Sequence, residues 1–183
     1  MDLRTVKEIA ALKAQVGPLQ RQAAERLNAA VDQAKTAAID QFKSHFTKAG
    51  FTLTGESRRY AATYEGMQFI LEIADTPGPG TFFKFSLNPP AALGEAKVAV
   101  QMVRKNPSAI EPPMVTGNIS RIGVAEKDLA DARAALSSSA PAFCYVVVAE
   151  ESADADATDA QAHEVSTPVF ETLGDFLEAV YPH

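Results

Sequence analysis

From Leu3 to Ala49 apolar side chains recur every three or four positions: Val6, Ile9, Leu12, Val16, Leu19, Ala23, Leu27, Val31, Ala34, Ala38, Phe42 and Phe46. That spacing draws one stripe along a helix. Gly17-Pro18 interrupts it, because the proline ring removes a backbone donor and disfavours helical geometry at the preceding residue. The pattern therefore predicts a short helix, a break or sharp kink, and a long helix with Pro18 in its first turn. Gly50 is placed to end the long helix as a left-handed cap, with Lys43 and Lys48 near its negative end. At 1.5 Å per residue the long helix would reach roughly 48 Å, whereas a globule of the remaining residues has a radius of gyration of about 14 Å. An overhanging apolar stripe is expected to be covered by the short helix folding back, by a second chain, or by both. Arg26 falls where a strict heptad needs an apolar residue, so a helical hairpin or short antiparallel bundle is favoured over an extended parallel coiled coil. The expected interface residues are Leu12, Leu19, Leu27, Val31, Phe42 and Phe46.

After Gly50 the period falls to two. The stretch 58-RRYAATYEGMQFILEI-73 reads as a hairpin about Glu65-Gly66, pairing Tyr64 with Met67, Ala62 with Phe69, Tyr60 with Leu71 and Arg59 with Glu72. In that register Tyr60, Ala62, Tyr64, Met67, Phe69, Leu71 and Ile73 share a face, and a slip of one residue would destroy the match. Alternation predicts further strands over 81–87 and 96–103. Residues 104–123 hold three prolines and two glycines without a sustained period, and read as a long loop. A helix follows over 124–139, with Leu129, Ala132 and Leu136 inward. The apolar run 142-AFCYVVVA-149 reads as a central strand buried on both faces. A terminal amphipathic helix over 167–180 is capped by Thr167, with Pro168 in its first turn. The expected fold class is α+β: a helical extension over 1–49, then a domain over 50–183 with a mainly antiparallel sheet of about five strands and two packed helices.

Composition narrows the class without naming an activity. The chain has 183 residues, 46% of them hydrophobic, enough for a real core. Its net charge of −6 is local, since residues 150–164 hold six acids and no base, leaving 17 acids against 17 bases elsewhere. Residues 1–49 carry eight bases against five acids, while 123–183 carry two against twelve, an asymmetry that suggests an electrostatic contact between the ends. The mixed, periodic opening MDLRTVKEIAALK is unlike a secretion leader, and no apolar run reaches the ~20 residues of a membrane span. One cysteine, Cys144, sits inside an apolar run, where burial is the expected fate. A cytoplasmic setting fits these features.

The candidate chemistry is sparse. The acidic stretch 150-EESADADATDAQAHE-164 fails as a calcium loop begun at Asp154, because Asp159 stands where glycine is needed and Val165 where the bidentate glutamate is needed. Its alternation of alanine with acids describes a solvated connector. His45 is expected as a cation near a helix end, and neither His163 nor His183 has a second ligand at metal spacing. Pro77-Gly78-Pro79-Gly80 lacks the Lys-Ser/Thr of a phosphate loop. No metal or cofactor is expected. Arg104, Lys105 and Arg121 form a candidate anion-binding group beside the loop 104–123. A nucleic-acid footprint is disfavoured because residues 50–122 are about neutral and Arg58 and Arg59 point to opposite faces of a strand. The leading expectation is a non-enzymatic protein-interaction module, an adaptor or chaperone-like accessory factor that forms a homo-oligomer, with a dimer favoured. A small anionic-ligand binder or enzyme is the alternative, and a nucleic-acid-binding accessory protein comes third.

Overall fold

The computed structural model describes residues 2–78, 81–105, 120–138, 141–148 and 168–182. The acidic stretch 150–164, the loop residues 106–119, Thr167, His163 and His183 lie outside the described residues. The α+β class holds. The elements run α1 (Leu3–Lys48), β1 (Thr52–Glu56), β2 (Arg59–Tyr64), β3 (Met67–Gly78), β4 (Thr81–Asn88), a 3-10 turn (Ala91–Leu93), β5 (Val98–Arg104), α2 (Arg121–Ser137), β6 (Phe143–Val148), β7 (Val169–Phe170) and α3 (Leu173–Val180).

The chain divides into two compact units, one holding residues 1–33 with 107–141, the other 34–106 with 142–183. The boundary expected after residue 49 instead falls within the second unit.

The predicted break at Gly17-Pro18 is absent: α1 is continuous, with Pro18 inside it. Two effects offset the proline. The residue before it has no Cβ to meet the ring, which removes much of the usual clash. Val16 and Leu19, on either side, pack on Leu129 and Ala132 of α2 and hold the backbone helical across the missing hydrogen bond. The short helix thus does not fold back, and α2 covers the stripe instead. As α2 runs from Leu129 to Leu136, its partners on α1 run from Leu12 and Val16 to Arg26, whose guanidinium donates to the Leu136 carbonyl. The two helices are therefore parallel, and no antiparallel pair of a short and a long N-terminal helix forms because α1 is a single helix. Ser120 caps α2, its hydroxyl accepting from the Gly123 amide at 3.1 Å.

In the second unit the sheet has seven strands, two more than expected, in the order β1-β2-β3-β4-β5-β6-β7 with every neighbour antiparallel. The predicted hairpin register is reproduced pair for pair. Glu65 (φ 47°) and Gly66 (φ 81°) are both left-handed, as a type I′ turn demands. Within the run 142–149, residues Phe143–Val148 form a strand but not a central one, since beyond β6 lies only the two-residue β7. Val169 and Phe170, expected inside the terminal helix, pair with Val146 and Tyr145. Helix α3 starts later, at a capping box in which the Thr172 hydroxyl accepts from the Asp175 amide and the Asp175 carboxylate from the Thr172 amide.

One face of the sheet carries the core. Ala62, Phe69, Leu71, Ile73, Phe85, Leu87, Val100 and Met102 lie on it, all buried. The last turns of α1 pack there through Ala38, Phe42 and Phe46, with the Phe46 ring centre 4.8 Å from those of both Phe42 and Phe69. Helix α3 adds Leu173, Phe176 and Leu177.

Candidate functional site

Gln41, Ser44, His45 and Lys48 recur at helical spacing, so they share one face of α1 beside the apolar stripe. Opposite stand Gly174 and Glu178 of α3, four residues apart on that helix. Between them is an open cleft of about 340 Å³. The Gly174 amide donates to Gln41 Oε1 at 3.0 Å, tying the start of α3 to α1. His45 Nδ1 lies 3.6 Å from Glu178 Oε2, and the imidazole is only 7% exposed, edge-on to Phe46 at 5.2 Å. His45 thus lies in the last turn of α1, at the helix end where it is expected, and is buried in the cleft wall. Its sequence signal was its place between Phe42 and Phe46 on the buried side of the helix. Lys48 and Glu178 give the cleft both charge signs, and Gln41 and Ser44 add neutral polar groups. Successive residues on a helix do not face one another, so Ser44 and His45 do not form a nucleophile-base pair through their spacing.

A smaller hollow of about 120 Å³ lies against the outer strand, lined by Lys43, Leu53, Thr54, Gly55 and Tyr60. The Lys43 ammonium stands 4.8 Å from the Tyr60 ring centre. Gly55 has φ 107°, and a Cβ there would sit 2.2 Å from the Arg59 carbonyl oxygen, so this position in the wall of the hollow needs glycine.

The expected interface residues separate into two groups. Phe42 and Phe46 are buried inside the sheet unit, and Val31 is buried too. Leu12 and Leu19 are half-buried against the Val16, Leu129 and Ala132 cluster, and Leu27 is half-buried. Over these positions the chain covers its own stripe. What remains outside in the helical unit is apolar all the same: Leu3 is 79% exposed, Val124 47% and Val6 42%.

The candidate anion group is not assembled within one unit. Arg104 and Lys105 follow β5 in the sheet unit, whereas Arg121 opens α2 in the helical unit. Lys105 is ion-paired with Glu171. Beside that pair, burial raises the Cys144 thiol above its ordinary value, with Lys105 pulling it down and Glu171 pushing it up. Burial also pushes Tyr145 up to about 12, its hydroxyl donating to the Ala34 carbonyl at 3.4 Å. Tyr181 is pushed to about 12 by burial first, then by its hydrogen bond to Glu95 and that carboxylate's charge.

Among the described residues no group of three His, Cys, Asp or Glu could hold a metal ion, and no helix is long and apolar enough to cross a membrane. No protein-family model, curated protein or solved structure matches this chain.

Proposed function

We propose that this chain works as a protein-interaction module, an adaptor or chaperone-like accessory protein, which meets a second copy of itself through its helical unit. The exposed Leu3, Val6 and Val124 carry this reading. Continuing the parallel register back from Leu129 opposite Val16 sets Val124 opposite about residue 11 of α1, so all three exposed residues belong to the N-terminal part of the pair. Two helices bury only one seam between them, and a second pair completes the four-helix arrangement in which each helix has two neighbours. A contact between two pairs would bury these exposed apolar residues. Sedimentation equilibrium of the full chain tests it. A dimer is expected, reverting to monomer when Leu3, Val6 and Val124 are replaced by serine. A monomeric wild-type chain at every concentration overturns the proposal.

The cleft between α1 and α3 favours a second reading, a small ligand carrying a carboxylate for Lys48 and a donor for Glu178. A thermal-shift screen of free amino acids and hydroxy acids, repeated with Lys48→Ala, tests it. No shift with any member removes it.

A further inference from the structure

β1 is the first strand of the sheet, so its outer edge pairs with no strand among the described residues. The register shows which groups that edge presents. Glu56 and Arg59 are partners across a two-residue loop, and the residues closing such a loop exchange both main-chain hydrogen bonds. Alternation back from Glu56 turns the N–H and C=O of Thr54 and Thr52 toward β2. Those of Leu53 and Gly55 point outward. Thr52, Thr54, Gly55 and Glu56 are exposed and Leu53 is half-buried.

Charge says what kind of chain this edge suits. Residues 43–62 carry Lys43, Lys48, Arg58 and Arg59 against Glu56 alone, a basic locality in a protein of net charge −6. Arg59 is paired with Glu72 of β3 at 3.7 Å, and the cation in the wall of the hollow at this edge is Lys43. The hollow beside Gly55, with Lys43 in its wall, lies on the helix-covered face directly at this edge.

We infer that the β1 edge accepts an extended acidic segment of a partner protein as an eighth strand, with one carboxylate side chain entering the hollow beside Gly55 toward the Lys43 ammonium. Main-chain hydrogen bonds from Leu53 and Gly55 hold the segment, and the hollow selects the side chain, the usual division of labour in strand addition. The hollow, lined by Lys43, Leu53, Thr54, Gly55 and Tyr60, offers about 120 Å³ for it. This edge belongs to the sheet unit and does not depend on self-association through the helical unit.

The test uses the full chain and a fluorescein-labelled peptide alternating glutamate and valine, followed by anisotropy at low and high salt. Binding is expected to weaken as salt rises, and the matching lysine–valine peptide is expected not to bind. Leu53→Pro removes an outward N–H that pairs with no strand among the described residues, so the fold is retained and binding falls about tenfold. Lys43→Ala weakens binding without changing circular dichroism. A glutamate–valine peptide N-methylated at alternate residues has lost its pairing donors and supplies the same test without altering the protein. On binding, hydrogen exchange slows at the Leu53 and Gly55 amides. Equal affinity for the lysine peptide or for the N-methylated peptide overturns the inference, as does absence of binding. If Leu53→Pro instead halves the sedimenting mass, the edge belongs to a second copy and the inference is likewise overturned. Failure of the helical-unit dimer leaves these outcomes unchanged.

Discussion

Replacing Pro18 with alanine puts the continuity of α1 to a direct test. In a helix interior proline costs about 3 kcal/mol relative to alanine, because it forfeits one backbone hydrogen bond and its ring presses on the preceding turn. Alanine also gives the unfolded chain more freedom, which takes back roughly 0.4–1 kcal/mol. Pro18 is exposed, so the ring contributes little packing that alanine would lose. The net expectation is a gain of about 2 kcal/mol, toward a thirtyfold shift in the folding equilibrium of this segment. Urea unfolding followed by far-UV ellipticity reads the gain, and hydrogen exchange locates it in amides on either side of residue 18. If Pro18 began a separate helix, alanine would gain no hydrogen bond and would lose the ring's preset geometry, and stability would fall by up to about 1 kcal/mol. An unchanged or lower midpoint would therefore refute the continuous helix and, with it, the packing of Val16 and Leu19 on α2.

Tyr145 and Tyr181 are both held protonated by the fold, each near 12 against an unfolded value of 10, so their contribution is complete below pH 10 and is lost as pH climbs toward 12. A urea midpoint that falls across that window, and falls less in Tyr145→Phe, is the expected result; a flat profile would contradict the burial. Thr172→Ala removes the capping acceptor of α3 and is expected to cost about 1 kcal/mol by thermal unfolding. Gly55→Ala forces a side chain into backbone at 2.2 Å and is expected to cost more than Gly50→Ala, where φ is 85° but the surroundings are open. Comparable losses at the two glycines would mean that β1 is free to move away from β2.

The parts of this fold that could be read from the sequence are those whose causes are local. The β2–β3 register followed from alternation on both sides of Glu65-Gly66, because a slip of one residue would break the shared face and the turn fixes the loop length. The buried stripe of α1 followed from spacing alone. What covers the stripe could not be read the same way, since Arg26 and Leu136 meet across a separation of 110 residues and the apolar pattern of α2 names no partner. β1 and β7 were missed for want of signal: 52-TLTGE-56 has one large apolar residue, and a two-residue strand is too short to show a period. The run 142–149 misled because continuous apolar residues suggest burial on both faces, yet burial here comes to Cys144 and Tyr145 while their neighbours stay half-exposed. At the cleft, Ser44, His45 and Lys48 were visible as residue types, but Gly174 and Glu178 approach them only through tertiary packing.

The helical unit is assembled from two stretches of chain that lie on either side of the first five strands, and this orders events on the ribosome. The opening turns of α1 emerge first and must wait while roughly 110 residues are translated before the segment they pack against is made. At ~5–20 residues per second that delay lasts about 5–20 s. During it Leu12, Val16 and Leu19 are a bare greasy strip on a nascent chain, so the period of greatest hazard for this molecule comes before its synthesis is complete.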